Sequence, residues 1–191
     1  MRGSSAACHV LFFLLWVSAT LANPIINEDT RSLEKRAVPP APTDPTFIST
    51  ILSRVNVYRN LHSAPPVTWD AGLAQTAKTA ATRCSAVHTP NNRYGENIYS
   101  FYLIPKTRVP DFNLRLKKGI DWWYGEVRYY DVNNPAPAYH FTQLVWKSTK
   151  KIGCSWSPNQ CATPNGDYFL VCEFDPQGNQ GGQFHVNVLD A

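Results

Sequence analysis

The chain contains no C-x-x-C pair, no Asn-x-Ser/Thr acceptor and no G-x-S-x-G element. It also has no apolar run near the roughly 18 residues needed to cross a bilayer. Each absence removes a class of function. Without C-x-x-C spacing the cysteines do not read as a structural zinc site. Without an acceptor, N-glycosylation is not expected. Without the nucleophile elbow, serines such as Ser85 and Ser148 lack a recognisable activating motif. Charge of one sign is sparse too. The net charge is +4, and Lys117-Lys118 and Lys150-Lys151 are isolated pairs. Residues 1–36 carry four of the 18 bases and three of the 14 acids, so their removal leaves +3. That field is too weak for nucleic-acid binding. No internal repeat or low-complexity tract is present.

What is present begins as an export signal. Arg2 is followed by the apolar run Val10 to Val17 and by small residues ending at Ala22, a plausible cleavage point. Residues 23–36 are polar and close on the dibasic pair Lys35-Arg36, which reads as a pro-segment with a kexin-type processing site. Residues 37–45 form a proline-rich leader, of which Ala37 to Pro42 cannot be helical. The folded part is 46–191. Of five cysteines, Cys8 lies in the signal, which leaves Cys84, Cys154, Cys161 and Cys172. An even number in an oxidising compartment predicts two disulfides, with three pairings open.

The folded part mixes periods. Phe47, Ile51, Leu52, Val55 and Tyr58 predict a helix over 46–60. Asp70 is a suitable N-cap for a second helix, whose buried face is Leu73, Ala74, Ala77, Ala80 and Ala81. Leu116, Ile120, Trp123 and Val127 mark a third helix, which would carry Glu126. Strands are expected over 98–103, 152–156 and 168–174. Phe184, Val186 and Val188 alternate as an edge strand. Helices around a few strands give an α+β layered sandwich.

Two histidines and two glutamates form the candidate site: His88, Glu96, Glu126 and His140. Two imidazoles and two carboxylates suit zinc or a similar divalent ion. The same four could serve as a general acid/base set around water. His140 opens the stretch His140-Phe141-Thr142-Gln143-Leu144-Val145-Trp146, in which Phe141, Leu144 and Val145 share one helical face. A histidine at the start of an anchored element is held in place, as site residues are.

Three ordered motifs carry a resemblance. Tyr94-Gly95-Glu96-Asn97, the His140–Trp146 stretch, and Val171-Cys172-Glu173-Phe174-Asp175-Pro176 with Gly178-Asn179 resemble the signatures of the CAP superfamily. That superfamily includes cysteine-rich secretory proteins, antigen 5 and pathogenesis-related 1 proteins. The similarity runs from about Phe47 to Phe184. It implies a three-layer α-β-α sandwich with a central cavity, and a tetrad at His88, Glu96, Glu126 and His140 that can hold zinc or another divalent cation. It implies the disulfides Cys84–Cys161 and Cys154–Cys172. Fungal members imply binding and export of sterols, with fatty acids as a second lipid class. The lipid-binding candidates here are Tyr129, Tyr130, Val132 and Tyr139. Tyr139 stands where the family usually has glycine, and the loop 133–138 before it is shortened. Two other readings follow from the same residues. One is a metal-dependent hydrolase or protease with Glu96 or Glu126 as base. The other is a secreted effector acting on a host protein, which draws on the turn at Pro176–Asn179.

Overall fold

The computed structural model describes residues 38–191. The expected signal peptide, pro-segment and dibasic site lie outside the described residues. Helix α1 (Pro45–Leu61) starts on Asp44, whose carboxylate accepts from Thr46 N at 2.8 Å and Phe47 N at 2.9 Å. Pro45, with its preset φ and no N–H to satisfy, opens the first turn. Phe47, Ile51, Val55 and Arg59 are buried along one stripe at spacings of four.

Strand β1 (Thr68–Trp69) leads into helix α2 (Ala71–Ala81). Asp70 caps α2 by accepting from Leu73 N at 3.0 Å, as its position before an apolar run implies. Strand β2 (Gly95–Phe101) is followed by helix α3 (Phe112–Tyr124) and a 3-10 turn (Gly125–Tyr129). Helix α4 (Tyr139–Val145), strand β3 (Lys151–Trp156), strand β4 (Tyr168–Asp175) and helix α5 (Phe184–Asn187) complete the chain.

The four strands lie in the order β1-β3-β4-β2. β1 runs parallel to β3, and the other two pairings are antiparallel. Helix α2 covers one face. Ala77, Ala80 and Ala81 meet Ile98, Phe169 and Val171 there, with the Cys84–Cys161 disulfide at the edge of the cluster. The small side chains let α2 lie close. A Cβ at Gly153 of β3 would run into the α2 backbone at Leu73 and Ala74. Helices α1, α3 and α4 cover the other face over the larger core, which includes Trp123, Phe141, Trp156, Leu170 and Phe174. Cys154 and Cys172 are directly opposite in the β3–β4 register and are bridged. The result is a three-layer α-β-α sandwich with both disulfides paired as the resemblance implies.

One buried charge belongs to the framework. Arg59 is fully buried, with no carboxylate partner among the described residues. Its guanidinium donates to the carbonyls of Pro65, Leu144, Trp146 and Thr149 at 2.8–3.0 Å. Those carbonyls include the C-terminal end of α4, where a cation is favoured. Burial lowers the Arg59 pKa to about 10, and the side chain ties α1 to the segment that follows His140.

Two sequence expectations are corrected. Phe184, Val186 and Val188 do not form an edge strand. They lie on and just after α5, with Phe184 and Val188 buried and Val186 52% exposed. Val188 N donates to Phe184 O at 2.8 Å. Phe184 packs edge-on against Trp146, so the i, i+4 contact prevails over the alternation. Glu126 and Val127 are not on α3 either. That helix ends at Tyr124, and the tighter 3-10 turn carries Glu126 towards the start of α4. Smaller differences occur at boundaries. β2 begins at Gly95 rather than Ile98, because pairing with β4 draws in the polar residues Glu96 and Asn97.

Candidate functional site

The four site candidates form two imidazole–carboxylate pairs. Glu126 accepts from three donors: His140 Nδ1 at 2.7 Å, His140 N at 2.9 Å and Phe141 N at 3.2 Å. Helix α4 has no N-cap side chain of its own at Ala138. Glu126 therefore supplies from a distance the capping that the local sequence lacks. Asn97 of β2 donates to His140 O at 3.0 Å. The His140 ring lies 5.5 Å from Trp122 and 6.4 Å from Trp123, stacked on the latter. Trp123 itself is core, with its indole N–H donating to Ile98 O at 3.2 Å.

The second pair repeats the device on a loop and a strand. Glu96 Oε1 accepts from His88 Nδ1 at 2.8 Å and from Thr89 N at 2.9 Å, and Oε2 accepts from Thr89 Oγ1 at 2.7 Å. The Glu96 side chain is nearly buried while that of His88 is 65% exposed, against 28% for His140. Burial alone would raise the Glu96 pKa, but the His88 and Thr89 hydrogen bonds outweigh it and hold the group at about 2. The Glu96 hydrogen bond in turn raises the His88 pKa.

Both pairs line one cleft of about 510 Å³, together with Asn97, Tyr139 and Asn179. In each histidine the carboxylate engages Nδ1. Neither Nε2 has a hydrogen-bond partner among the described residues. A carboxylate on Nδ1 selects the tautomer whose Nε2 lone pair is free, which is how metal-binding and basic histidines are held. The carboxylates themselves are spent on their imidazoles and on backbone amides. Among the described residues no group of three or more His, Cys, Asp or Glu converges as a ready-made cage. The donors on offer are two nitrogens, which suits an ion completed by water rather than a closed structural site.

A third acid stands behind the second pair. Glu173 of β4 is directly opposite Glu96 of β2 and is fully buried. Its Oε2 accepts from Asn92 Nδ2 at 2.7 Å, while Oε1 has no hydrogen-bond partner among the described residues. Burial first, then the neighbouring Glu96 charge, push its pKa up to about 8. In the protonated form Oε1 is a donor beside the Glu96 carboxylate.

The lipid-binding candidates do not gather in one place. Tyr129 is exposed with Arg128 over its ring, and Val132 is exposed on the loop. Tyr130 packs edge-on against Phe141, with its hydroxyl buried and unpartnered. Tyr139 is half exposed and is the one of the four that reaches the cleft. The turn at Pro176–Asn179 is built into the framework. Gly178 N donates to Gln143 Oε1 at 2.8 Å, and Asn179 exchanges hydrogen bonds with Tyr139 O and Thr142 Oγ1.

Sequence reading gave no role to Asn97, Thr89, Gln143 or Glu173. Glu173 had a signal: it is the one charge inside the apolar run 168–174. Thr89 had none beyond following His88.

Comparison with known proteins agrees with this architecture. A family model described as CAP, the cysteine-rich secretory protein family, matches residues 52–174. A pathogenesis-related protein of PR-1 type from Sambucus nigra is 33% identical over 137 residues, covering 67% of this chain and 75% of that one. Secreted protein RBT4 of Candida albicans is 33% identical over 143 residues, covering 73% of this chain and 37% of that protein, so the match spans well under half of its length. Among solved structures, that of NaASP2 with Zn2+ superposes with a TM-score of 0.59 at 22% identity, covering 72% of this chain and 83% of that one. At that identity the likeness concerns the fold. With the family match across both imidazole–carboxylate pairs and the sandwich that holds them, the chain belongs to the CAP family of cysteine-rich secretory proteins.

Proposed function

We propose that the chain is a secreted lipid-binding protein, taking sterols or fatty acids, whose cleft holds a divalent ion between His88 and His140. Export is supported by the signal-like start and by relatives whose names include the word secreted. Among the described residues no helix is long and apolar enough to cross a membrane. The lipid class comes from the resemblance to fungal members. The observation that carries the reading is the pairing of two free imidazole nitrogens on a cleft that the fold leaves open.

Zinc suits two imidazole donors with water completing the shell. Glu96 and Glu126 would act behind the donors, fixing tautomer and ring orientation. When bound, the ion would supply a Lewis-acid contact for an oxygen of the ligand. A fold relative, NaASP2, has a crystal structure with Zn2+.

The hydrolase reading gains nothing from the hydroxyls near the site. Ser148 Oγ is engaged with Asn187 Oδ1 at 2.5 Å, and Ser85 Oγ accepts from Val87 N at 3.1 Å. Neither bonds a histidine. Action on a host protein draws on the pathogenesis-related name of the Sambucus relative and has no site of its own here.

The test uses protein purified from culture medium, tritiated cholesterol and labelled palmitate, each with zinc and with chelator. Saturable binding of either lipid is the expected result. No binding of either, with and without zinc, would overturn the lipid reading. Ester turnover lost in Glu96→Gln would establish the enzymatic one.

A further inference from the structure

Strand β2 is an edge of the sheet, and the pairing register tells which of its backbone groups face outward. Cys154 and Cys172 stand opposite one another with Cα atoms 4.1 Å apart, the spacing of a pair that exchanges no hydrogen bonds. Ser157 N, three residues on, donates to Phe169 O at 2.7 Å, which fixes the same alternation. The amide and carbonyl of Cys172 therefore point to β2, where its partner is Asn97. Tyr99 bonds to β4 in the same way. Glu96, Ile98 and Ser100 turn their amides and carbonyls away from the sheet. Trp123 Nε1 donates to Ile98 O at 3.2 Å from that outer side, as this register requires. The other outward groups are the N–H and C=O of Glu96 and of Ser100 and the N–H of Ile98. They have no hydrogen-bond partner among the described residues.

The ground beside this edge is shaped and charged. A cavity of about 440 Å³ runs along it, with Ile98, Tyr99 and Ser100 on one wall and Ala86 and Trp122 facing them. On α3, Arg115, Lys118 and Trp122 follow at spacings of three and four and share a face with Gly119. That face borders β2, because a Cβ at Gly119 would lie 2.6 Å from the Tyr99 ring. Trp122 is 56% exposed there, although it is one of the largest apolar side chains in the molecule. The Arg115 guanidinium lies over the Phe101 ring at 4.9 Å. Neither Arg115 nor Lys118 forms a salt bridge among the described residues.

We propose that the β2 edge binds an extended acidic peptide of a partner protein, added to the sheet as a fifth strand. Its backbone bonds to Glu96, Ile98 and Ser100. One apolar side chain enters the cavity against Trp122 and Ile98, and its carboxylates face Arg115 and Lys118. Outward donors and acceptors on every second residue are the complement of another strand. Sheet edges are usually blunted by proline or by inward charge. β2 has no proline, and its one charged side chain, Glu96, is taken up by His88 and Thr89. From Glu96 to Ser100 the strand advances about 13 Å, room for a peptide of about five residues. The unpaired cations on the α3 bank select acidic sequences. The inference stands independently of the lipid reading.

The probe is a random seven-residue peptide library displayed on phage and selected against the secreted wild-type protein. The most enriched peptides are then made with a fluorescent label and titrated. They should be acidic and should alternate apolar with polar residues. Hydrogen exchange followed by NMR reads the mode of binding. Bound peptide should slow the amides of Glu96, Ile98 and Ser100 and leave those of Asn97 and Tyr99, already bonded to β4, unchanged. The same peptide N-methylated at alternate residues should not bind. Ser100→Pro removes an outward donor without touching the β4 pairing, and should weaken binding roughly tenfold. Trp122→Ala should weaken it to a similar degree, and Lys118→Glu should weaken it more at low salt than at high. Circular dichroism and a thermal melt check folding, and the exchange footprint on wild type depends on no variant. No enriched peptide, a footprint away from β2, or full affinity in both Ser100→Pro and Trp122→Ala would overturn the inference. Enrichment of basic or uncharged peptides would overturn the acidic class.

Discussion

The two halves of the site use one device in two settings. In each, a glutamate grips the Nδ1 of a histidine and also a backbone amide beside that histidine. Around His140 everything else is framework. Glu126 caps α4, Trp122 and Trp123 flank the ring, and Arg59 secures the far end of the same helix. Around His88 the support is thinner. The ring is mostly exposed, its segment is a loop, and its glutamate faces a second buried acid across the sheet. The difference separates a fixed half of the site from an adjustable one. The contrast between Arg59 and Glu173 makes the same point. The buried cation has four carbonyl acceptors, while the buried acid has an oxygen with no partner. A buried group with every hydrogen bond made stabilises a fold, and a buried acid with one oxygen left over responds to its surroundings.

The largest effect should come from removing the anchor of the fixed half. Glu126→Ala strands the amides of His140 and Phe141 together with the imidazole, and should cost about 2–4 kcal/mol in chemical denaturation. Glu96→Ala removes an equally bonded carboxylate, but one beside a mostly exposed imidazole on a loop, so its cost should be about half as large. Equal or reversed costs would erase the distinction between the halves.

The pH dependence sharpens the same comparison. Glu173 has its folded pKa raised to about 8, against roughly 4.3 in an unfolded chain. Its contribution is complete below the unfolded value and is lost as pH rises towards the folded one. Wild-type melting temperature should therefore fall between pH 5 and 8 by an amount that Glu173→Gln abolishes. Glu96 has the opposite sign. Its folded pKa is depressed to about 2, so its contribution is lost as pH falls from roughly 4.3 towards that value. Glu96→Gln should flatten that acid limb. A pH profile identical in all three proteins would show that the two acids do not interact.

A smaller effect is spectroscopic. The His88 imidazole should titrate above the reference of roughly 6.5 in an NMR experiment. Glu96→Gln should return it towards that reference, while Glu126→Gln should leave it in place. Movement of His88 in Glu126→Gln would mean that the pairs are coupled through the cleft.

Much of this arrangement was legible in the residues. Asp70 before an apolar run marked the cap of α2, and the alanine face announced a helix lying close to the sheet. Two of the three motifs carry Glu96 and His140, and the wider resemblance added His88 and Glu126. What escaped was set by tertiary contact. Phe184, Val186 and Val188 alternate like a strand, but Trp146 offers Phe184 an aromatic edge and the segment coils into α5 instead. Glu126 fits the period of α3, yet the uncapped start of α4 gives it better partners on a 3-10 turn. The grouping of four ligands gave no hint that each carboxylate would face an imidazole rather than the cleft. That pairing depends on β2 and the loop at 88–89 meeting across the turn, which spacing does not encode. Trp122 and Trp123 are neighbours of one type, and only packing assigns one to the core and the other to a cavity.

The most direct test of the site is calorimetric titration with zinc alone, on wild type, His88→Ala, His140→Ala and the double variant. The account predicts one ion per wild-type molecule and loss of that binding in each single variant, with the double variant no worse than either. Glu96→Gln and Glu126→Gln should retain the stoichiometry with affinity reduced about 10–100-fold. Full zinc affinity in either single histidine variant, or two independent ions per molecule, would contradict the claim that the two pairs form one site.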